Sequence, residues 1–206
     1  MCSKISEHEI FISPDCTPIL IQRNDGSAGG FNRSWNEFKV GFGDRTGDDG
    51  VYWLGNEILH ELTKIRNRTL RYVVFSTNLT RYMLEYSNFS VDNENANYTV
   101  HLSGYDGFAG DGNAGGPLGR TDRMSFSTYD RDNDNWKNGN CSSEHGAGFW
   151  YDKCGYNFVN SKKMAWKWPI GEIAVNLNLK FSRIYLLCQL PDARKFKMTK
   201  EKYYTI

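Results

Sequence analysis

Asp130-Arg131-Asp132-Asn133-Asp134-Asn135-Trp136-Lys137-Asn138-Gly139-Asn140-Cys141 places three aspartates at alternate positions among asparagines. Side chains spaced in this way can converge on one hard cation. Calcium takes six to eight oxygens, from carboxylates, backbone carbonyls and water. The stretch is not an EF-hand. Counted from Asp130, Asn135 falls where glycine is needed and Cys141 where the bidentate glutamate belongs, and no helical periodicity flanks it. Another kind of cation loop remains open. Cys141 and Cys154 enclose twelve residues, and closing a loop of this size is worth about 3 kcal/mol in the chain-entropy model. A solvated acidic turn beside two free cysteines accounts for the spacing equally well.

Around this stretch lie 206 residues, enough for one large domain or two small ones. Aromatics make up 15% of them, so large buried areas are available and a core needs no dense disulfide framework. Lys+Arg number 25 against Asp+Glu 24, a balance that argues against a nucleic-acid binder or a polybasic membrane binder. No window approaches the roughly 18 apolar residues of a membrane span, so no membrane insertion is expected. Met1 to Glu9 lacks the apolar core of a signal peptide. Asn-x-Ser/Thr sequons at Asn32, Asn67, Asn78, Asn88, Asn97 and Asn140 point instead to the secretory route. The cysteines are Cys2, Cys16, Cys141, Cys154 and Cys188, an odd number that leaves one or more thiols over. The expectation is a fragment or incomplete gene model of a secreted protein, the alternative a cytosolic domain with free thiols.

Ile19-Leu20-Ile21-Gln22 reads as a strand. Phe31, Trp35, Phe38 and Phe42 recur at three- and four-residue spacing, which predicts an amphipathic helix over Asn32 to Phe42. Asn56 to Lys64 is expected to form a second helix with Ile58, Leu59 and Leu62 on its apolar face. The β-branched and aromatic runs Leu70 to Phe75, Tyr82 to Tyr86 and Tyr98 to Leu102 suit an antiparallel sheet. From Gly104 to about Trp168 glycine, aspartate and asparagine become dense and periodicity fades; ordered loops of this kind carry function. Val175 to Phe181 then alternates as a late strand, extended by Ile184 to Leu187, and the tail beyond Pro191 is charged.

No motif for catalysis emerges. Gly110-Asp111-Gly112-Asn113-Ala114-Gly115 loosely matches a dinucleotide fingerprint, but Pro117 and Gly119 oppose the helix that must follow. His8, His60, His101 and His145 are scattered, with no zinc-type pair. No nucleophile elbow occurs.

Ordered motifs over about residues 19–187 carry a resemblance. Ile21-Gln22-Arg23-Asn24-Asp25-Gly26-Ser27 with Phe31-Asn32-Arg33-Ser34-Trp35, then Gly41 to Asp44 and Tyr52 to Glu57, resemble the opening of fibrinogen-like domains. Met124 to Asp134, Asn140-Cys141 and Phe149 to Cys154 resemble the family's calcium and disulfide segments. The resemblance implies a non-enzymatic α+β domain over residues 14–190, in which a central twisted antiparallel sheet with short helices supports a loop-rich region over 106–174. Residues 191–206 would be a charged tail. It implies Ca2+ held by the side chains of Asp132 and Asp134 and by the carbonyls of Trp136 and of Asn138 or Gly139, the loop being one residue longer than the family pattern. It also implies a Cys141–Cys154 disulfide, a cis peptide at Lys153-Cys154, and a ligand pocket around His145, Trp150, Lys153, Cys154 and Gly155. Plain core packing is an equally good reading of Trp150.

Departures from the pattern bear on function. Gly155 stands where sugar-binding members often carry histidine, Phe158-Val159-Asn160-Ser161 replaces a usual motif, and the segment to Trp166-Lys167-Trp168 is short. The amino end is abbreviated and the first family disulfide is not evident in it, Cys16 being the candidate for one half. The leading expectation is an extracellular lectin-like domain for acetylated glycans. A protein-protein module, as in receptor ligands or matrix glycoproteins, is the first alternative, and an incomplete product with an impaired pocket the second. Glycans or cell-surface and matrix proteins are the expected partners, with oligomerisation left to segments absent from this chain.

Overall fold

The structure, a computed structural model, describes residues 17–27, 30–47, 50–107, 118, 120–155, 157–170 and 173–188, with the backbone alone for 166–170 and 173–176. Cys2, Cys16, the Gly110 to Gly115 run and the charged tail lie outside these residues. The strands are β1 (Ile19–Asn24), β2 (Phe42–Gly43), β3 (Tyr52–Trp53), β4 (Arg68–Ser76), β5 (Arg81–Val91), β6 (Val100–Gly107), β7 (Phe126–Ser127), β8 (Phe149–Trp150), β9 (Ala165–Ile170) and β10 (Ile173–Leu187). The helices are α1 (Trp35–Val40), α2 (Asn56–Thr63) and α3 (Cys141–His145).

An α+β architecture results. The main antiparallel sheet runs β2-β3-β1-β10-β4-β5-β6, and β7 and β8 form a separate pair. The long β10 does two jobs. Its first part, up to Asn178, makes a hairpin with β9. Its second part sits between β1 and β4, so a strand near the start of the sequence and one near its end are direct neighbours.

Alternation decides which side chains go inward. In β4, Leu70, Tyr72, Val74 and Ser76 are buried. In β5 the buried set is Leu84 and Tyr86, then Phe89 and Val91. The phase changes because Arg68 faces Phe89 while Leu70 faces Tyr86, leaving one extra residue in β5. Such a bulge re-aims every side chain beyond it.

The first helix is shorter than its aromatic spacing predicts. Ser34 caps it in a capping box with Glu37, so helical turns begin at Trp35. It ends at Gly41, whose φ of 92° suits glycine. Phe31 and Phe42 flank the helix and still pack on Phe38, with ring centroids 6.4 and 5.2 Å away. The second helix buries Leu59 and half-buries Leu62, but Ile58 is 43% exposed, so it is not part of the buried face. Thr63 takes the inward position instead, donating its hydroxyl to Leu59 O at 2.8 Å.

The main sheet and the loop-rich region meet through buried amides. Gln22 Nε2 donates to Asn160 Oδ1 at 3.0 Å and to Ser182 Oγ at 2.9 Å. Asn24 Nδ2 donates to Val159 O at 2.8 Å, and Asn160 Nδ2 to Gly148 O at 3.0 Å. These three side chains are at most 3% exposed. They tie the loop-rich region to β1 and β10, and buried polar groups of this kind are costly to strand. Gln22→Leu is expected to lower the unfolding free energy by about 1–3 kcal/mol, read from urea denaturation. An unchanged midpoint would mean the network is replaceable.

Candidate cation and ligand site

The acidic loop leaves β7 and re-enters the fold at α3. Its start is held by Asn133, whose backbone N–H donates to Ser127 Oγ at 3.0 Å and whose amide donates to Phe126 O at 2.8 Å. Its end is held by Asn140, whose amide donates to Thr128 O at 3.3 Å while its Oδ1 accepts from Ser143 N and caps α3. Midway, Asn135 reaches the disulfide loop: its N–H donates to Asp152 O at 2.9 Å and its side chain to Asp152 Oδ1 at 3.0 Å. Neither member of this clamp stands out in the sequence as a site residue. An acidic side chain inside the small Cys141–Cys154 loop is the signal that could have found it.

The first two loop residues serve α1. Asp130 Oδ1 accepts from Trp35 N at 2.9 Å and from Thr128 Oγ1 at 2.7 Å. The Arg131 guanidinium lies 3.9 Å over the Trp35 ring and donates to Asn97 Oδ1 at 2.6 Å. Asp132 and Asp134 are left as neighbours. Asp132 Oδ1 accepts from Asp134 N at 3.2 Å. Asp134 accepts from Trp136 N and Cys141 N, both at 2.8 Å. Burial pushes the Asp134 carboxyl above the usual carboxylate range, and the adjacent Asp132 charge acts in the same direction against those two N–H donors.

The turn that follows is tight. Gly139 N donates to Trp136 O at 3.2 Å, and a Cβ on Gly139 would lie 2.6 Å from the Trp136 ring. The loop therefore juxtaposes two carboxylates, one of them partly desolvated, with the backbone turn that carries the carbonyls of Trp136, Asn138 and Gly139. Hard oxygens in this arrangement fit a divalent cation. Each Asp134 oxygen already accepts one N–H but retains a second lone pair. Among the described residues no three His, Cys, Asp or Glu side chains cluster as metal ligands, so the backbone oxygens must complete any such site.

Cys141 and Cys154 are joined, with Cα atoms 5.1 Å apart, and Cys188 is disulfide-bonded as well. The expected cis peptide at Lys153-Cys154 is absent: no peptide bond among the described residues is cis. The backbone reverses instead through two consecutive left-handed residues, Cys154 with φ 66° and Gly155 with φ 67°. Glycine adopts this conformation freely, and left-handed backbone at a single non-glycine residue costs less than a cis bond.

The five expected pocket residues do not all converge. Trp150 is a core residue: it is 5% exposed, its Nε1 donates to Tyr98 O at 2.7 Å, and its ring meets those of Phe126 and Trp53. His145 ends α3, with its ring 4.4 Å from that of Phe158. Lys153 is exposed, and Cys154 and Gly155 are half-buried. A groove of about 200 Å³ lies on β5 and β6 and involves none of these five. Of the sequons, Asn32, Asn67 and Asn78 are exposed. Asn88, Asn97 and Asn140 are half-buried, and each hydrogen-bonds through its side chain.

The fold is shared with known proteins. Residues 14–168 match the model for "Fibrinogen beta and gamma chains, C-terminal globular domain". Bovine fibrinogen-like protein 1 is 38% identical over 142 residues, covering 66% of this chain and 45% of the relative. Bovine fibroleukin is 37% identical over 144 residues, covering 70% of this chain and 32% of the relative. The present sequence thus spans less than half the length of these relatives. The fibrinogen-like globe domain of human ANGPTL6 superposes with a TM-score of 0.67 at 28% identity, over 84% of this chain and 78% of that one.

Proposed function

Because the protein belongs to the family of C-terminal globular domains found in the fibrinogen β and γ subunits, whose members are non-enzymatic recognition modules, we propose that it is an extracellular calcium-binding domain that docks a protein partner. One observation supports a docking role above others. Trp136 is 37% exposed on a loop pinned at its start, middle and end. A large aromatic held rigidly at the surface is the usual anchor of a protein interface, because little conformational entropy is lost when it is covered. The disulfides support an oxidising compartment.

The glycan reading has less support. Trp150 is turned into the core, Gly155 offers no side chain, and the groove on β5 and β6 lies among other residues. A secreted Trp136→Ala variant tests the choice in a binding assay on intact cells and on matrix coats. The expected result is at least a tenfold loss of binding with an unchanged melting temperature, and no competition by N-acetylglucosamine. Full competition by that sugar with Trp136→Ala unimpaired would favour the acetylated-glycan reading instead.

Asp132 and Asp134 would hold calcium, with the carbonyls of Trp136 and of Asn138 or Gly139. The ion would supply the positive charge that two adjoining carboxylates lack. A ligand selective for the native state stabilises it by about 2.7 kcal/mol at a free concentration 100-fold above Kd. For a protein of this size that is roughly 5–11 °C in Tm. Asp132→Asn is expected to abolish this shift. Without calcium it should leave Tm unchanged or slightly raised, since it keeps the oxygen that accepts from Asp134 N and removes a like charge beside Asp134. A calcium-independent Tm in the parent domain would rule these ligands out.

A further inference from the structure

The groove on β5 and β6 contains two of the sequon asparagines. Asn67 and Asn88 both line it, together with Ser90, His101, Ser103 and Asp122. The two asparagines differ in what they can accept. Asn88 is half-buried within β5, and its amide nitrogen, the atom that would carry a sugar, donates to Ser103 Oγ across the ladder at 3.1 Å. Asn67 is exposed and precedes β4, at the rim of the same groove.

The lining is mostly polar, with the Arg123 guanidinium 3.8 Å from Asp122 and Leu102 as its apolar member. Ser90 and Ser103 present hydroxyls and Asn88 an amide, while Asp122 Oδ1 is fixed by accepting from Leu102 N at 2.7 Å. His101 is steadied by Asp92 at 2.9 Å. Hydroxyl and amide groups with a fixed carboxylate and a neighbouring guanidinium suit the hydroxyls and acetamido group of a sugar better than they suit an apolar ligand. The groove's 200 Å³ is on the scale of a pyranose ring. We propose that Asn67 carries an N-linked glycan whose first N-acetylglucosamine lies in this groove, over β5 and β6. This rests on the extracellular reading above. Its consequence is that the solvent face of β5 and β6 is covered by the protein's own sugar.

The test is expression of the protein behind a secretion signal in cells that add N-glycans, followed by glycopeptide mass spectrometry. Native and denatured protein are then treated with a glycosidase that cleaves at the asparagine. Asn32, exposed and remote in sequence, serves as the internal reference. Occupancy at Asn67 is expected, with native release at least tenfold slower than at Asn32 and equal release after denaturation. Ser103→Trp, an exposed strand position that tolerates an aromatic, fills the groove and should bring the Asn67 rate up to that of Asn32. Occupancy at Asn32 but not at Asn67, or equal native rates in the parent, overturns the proposal while leaving the secretory reading intact. No occupied sequon at all overturns both.

Discussion

Phe126→Ala lowers the unfolding free energy by about 3–5 kcal/mol, the expected cost of emptying a fully enclosed aromatic site. Phe126 is 0% exposed. Its ring centroid lies 5.0 Å from Phe38, 5.1 Å from Trp150 and 6.0 Å from Trp53. It thereby joins α1, β3 and β8 through one side chain. With small domains stable by only about 5–15 kcal/mol, the variant should melt on the order of 6–20 °C earlier. Phe126→Leu should recover part of the loss, because it refills part of the volume. The measurement is equilibrium denaturation with the slope compared between variants. A loss below about 1 kcal/mol would show that the aromatic cluster collapses around the gap, contrary to the close packing of its four rings.

The second large effect is expected from the disulfide. The double variant Cys141→Ser, Cys154→Ser should lose about 3 kcal/mol from the freed loop entropy. Replacing both partners avoids a stray thiol. It also separates this bridge from that of Cys188, which reductant would break at the same time. The Asn135 to Asp152 clamp remains in the variant, so the loops should stay near each other yet order less well. Stability should therefore fall, and calcium should raise Tm less than in the parent. Equal stability of variant and parent would mean that the clamp alone fixes the loop.

Much of the sheet is legible in the sequence because alternation is a local signal. β4, the start of β6 and the Val175 to Phe181 part of β10 follow from β-branched, aliphatic and aromatic residues spaced by two, whereas β6 runs on to Gly107, where dense glycine and aspartate read as loop. The β5 bulge is not legible: Ser87 and Asn88 give no hint that one of them is surplus, since the excess exists only relative to β4. β9 escapes for a related reason. Pro169 and the charged residue Lys167 break the run, and only pairing with β10 makes Ala165 to Ile170 a strand. In the site, the two carboxylates and the disulfide pair are readable through motif resemblance. The roles of Gln22, Asn24 and Asn160 are not, because an amide that bridges segments some 135 residues apart looks, in sequence, like any exposed amide. Trp150 shows the limit of motif transfer: its neighbours match, but its burial is fixed by Trp53 and Phe126.

The position of β10 has a consequence for biosynthesis. Among the described residues it is the last strand of the sheet in sequence, and it lies in the middle of that sheet, between β1 and β4. During translation β4, β5 and β6 can pair as they emerge, but β4 keeps one open edge, and β1 another, until residues 179–187 leave the ribosome. At 5–20 residues per second, the interval after Ser76 is on the order of 5–20 s. Throughout it, two bare strand edges wait for one late partner. The nascent polypeptide is therefore a natural client for chaperones, and completion of the sheet is set by the clock of synthesis.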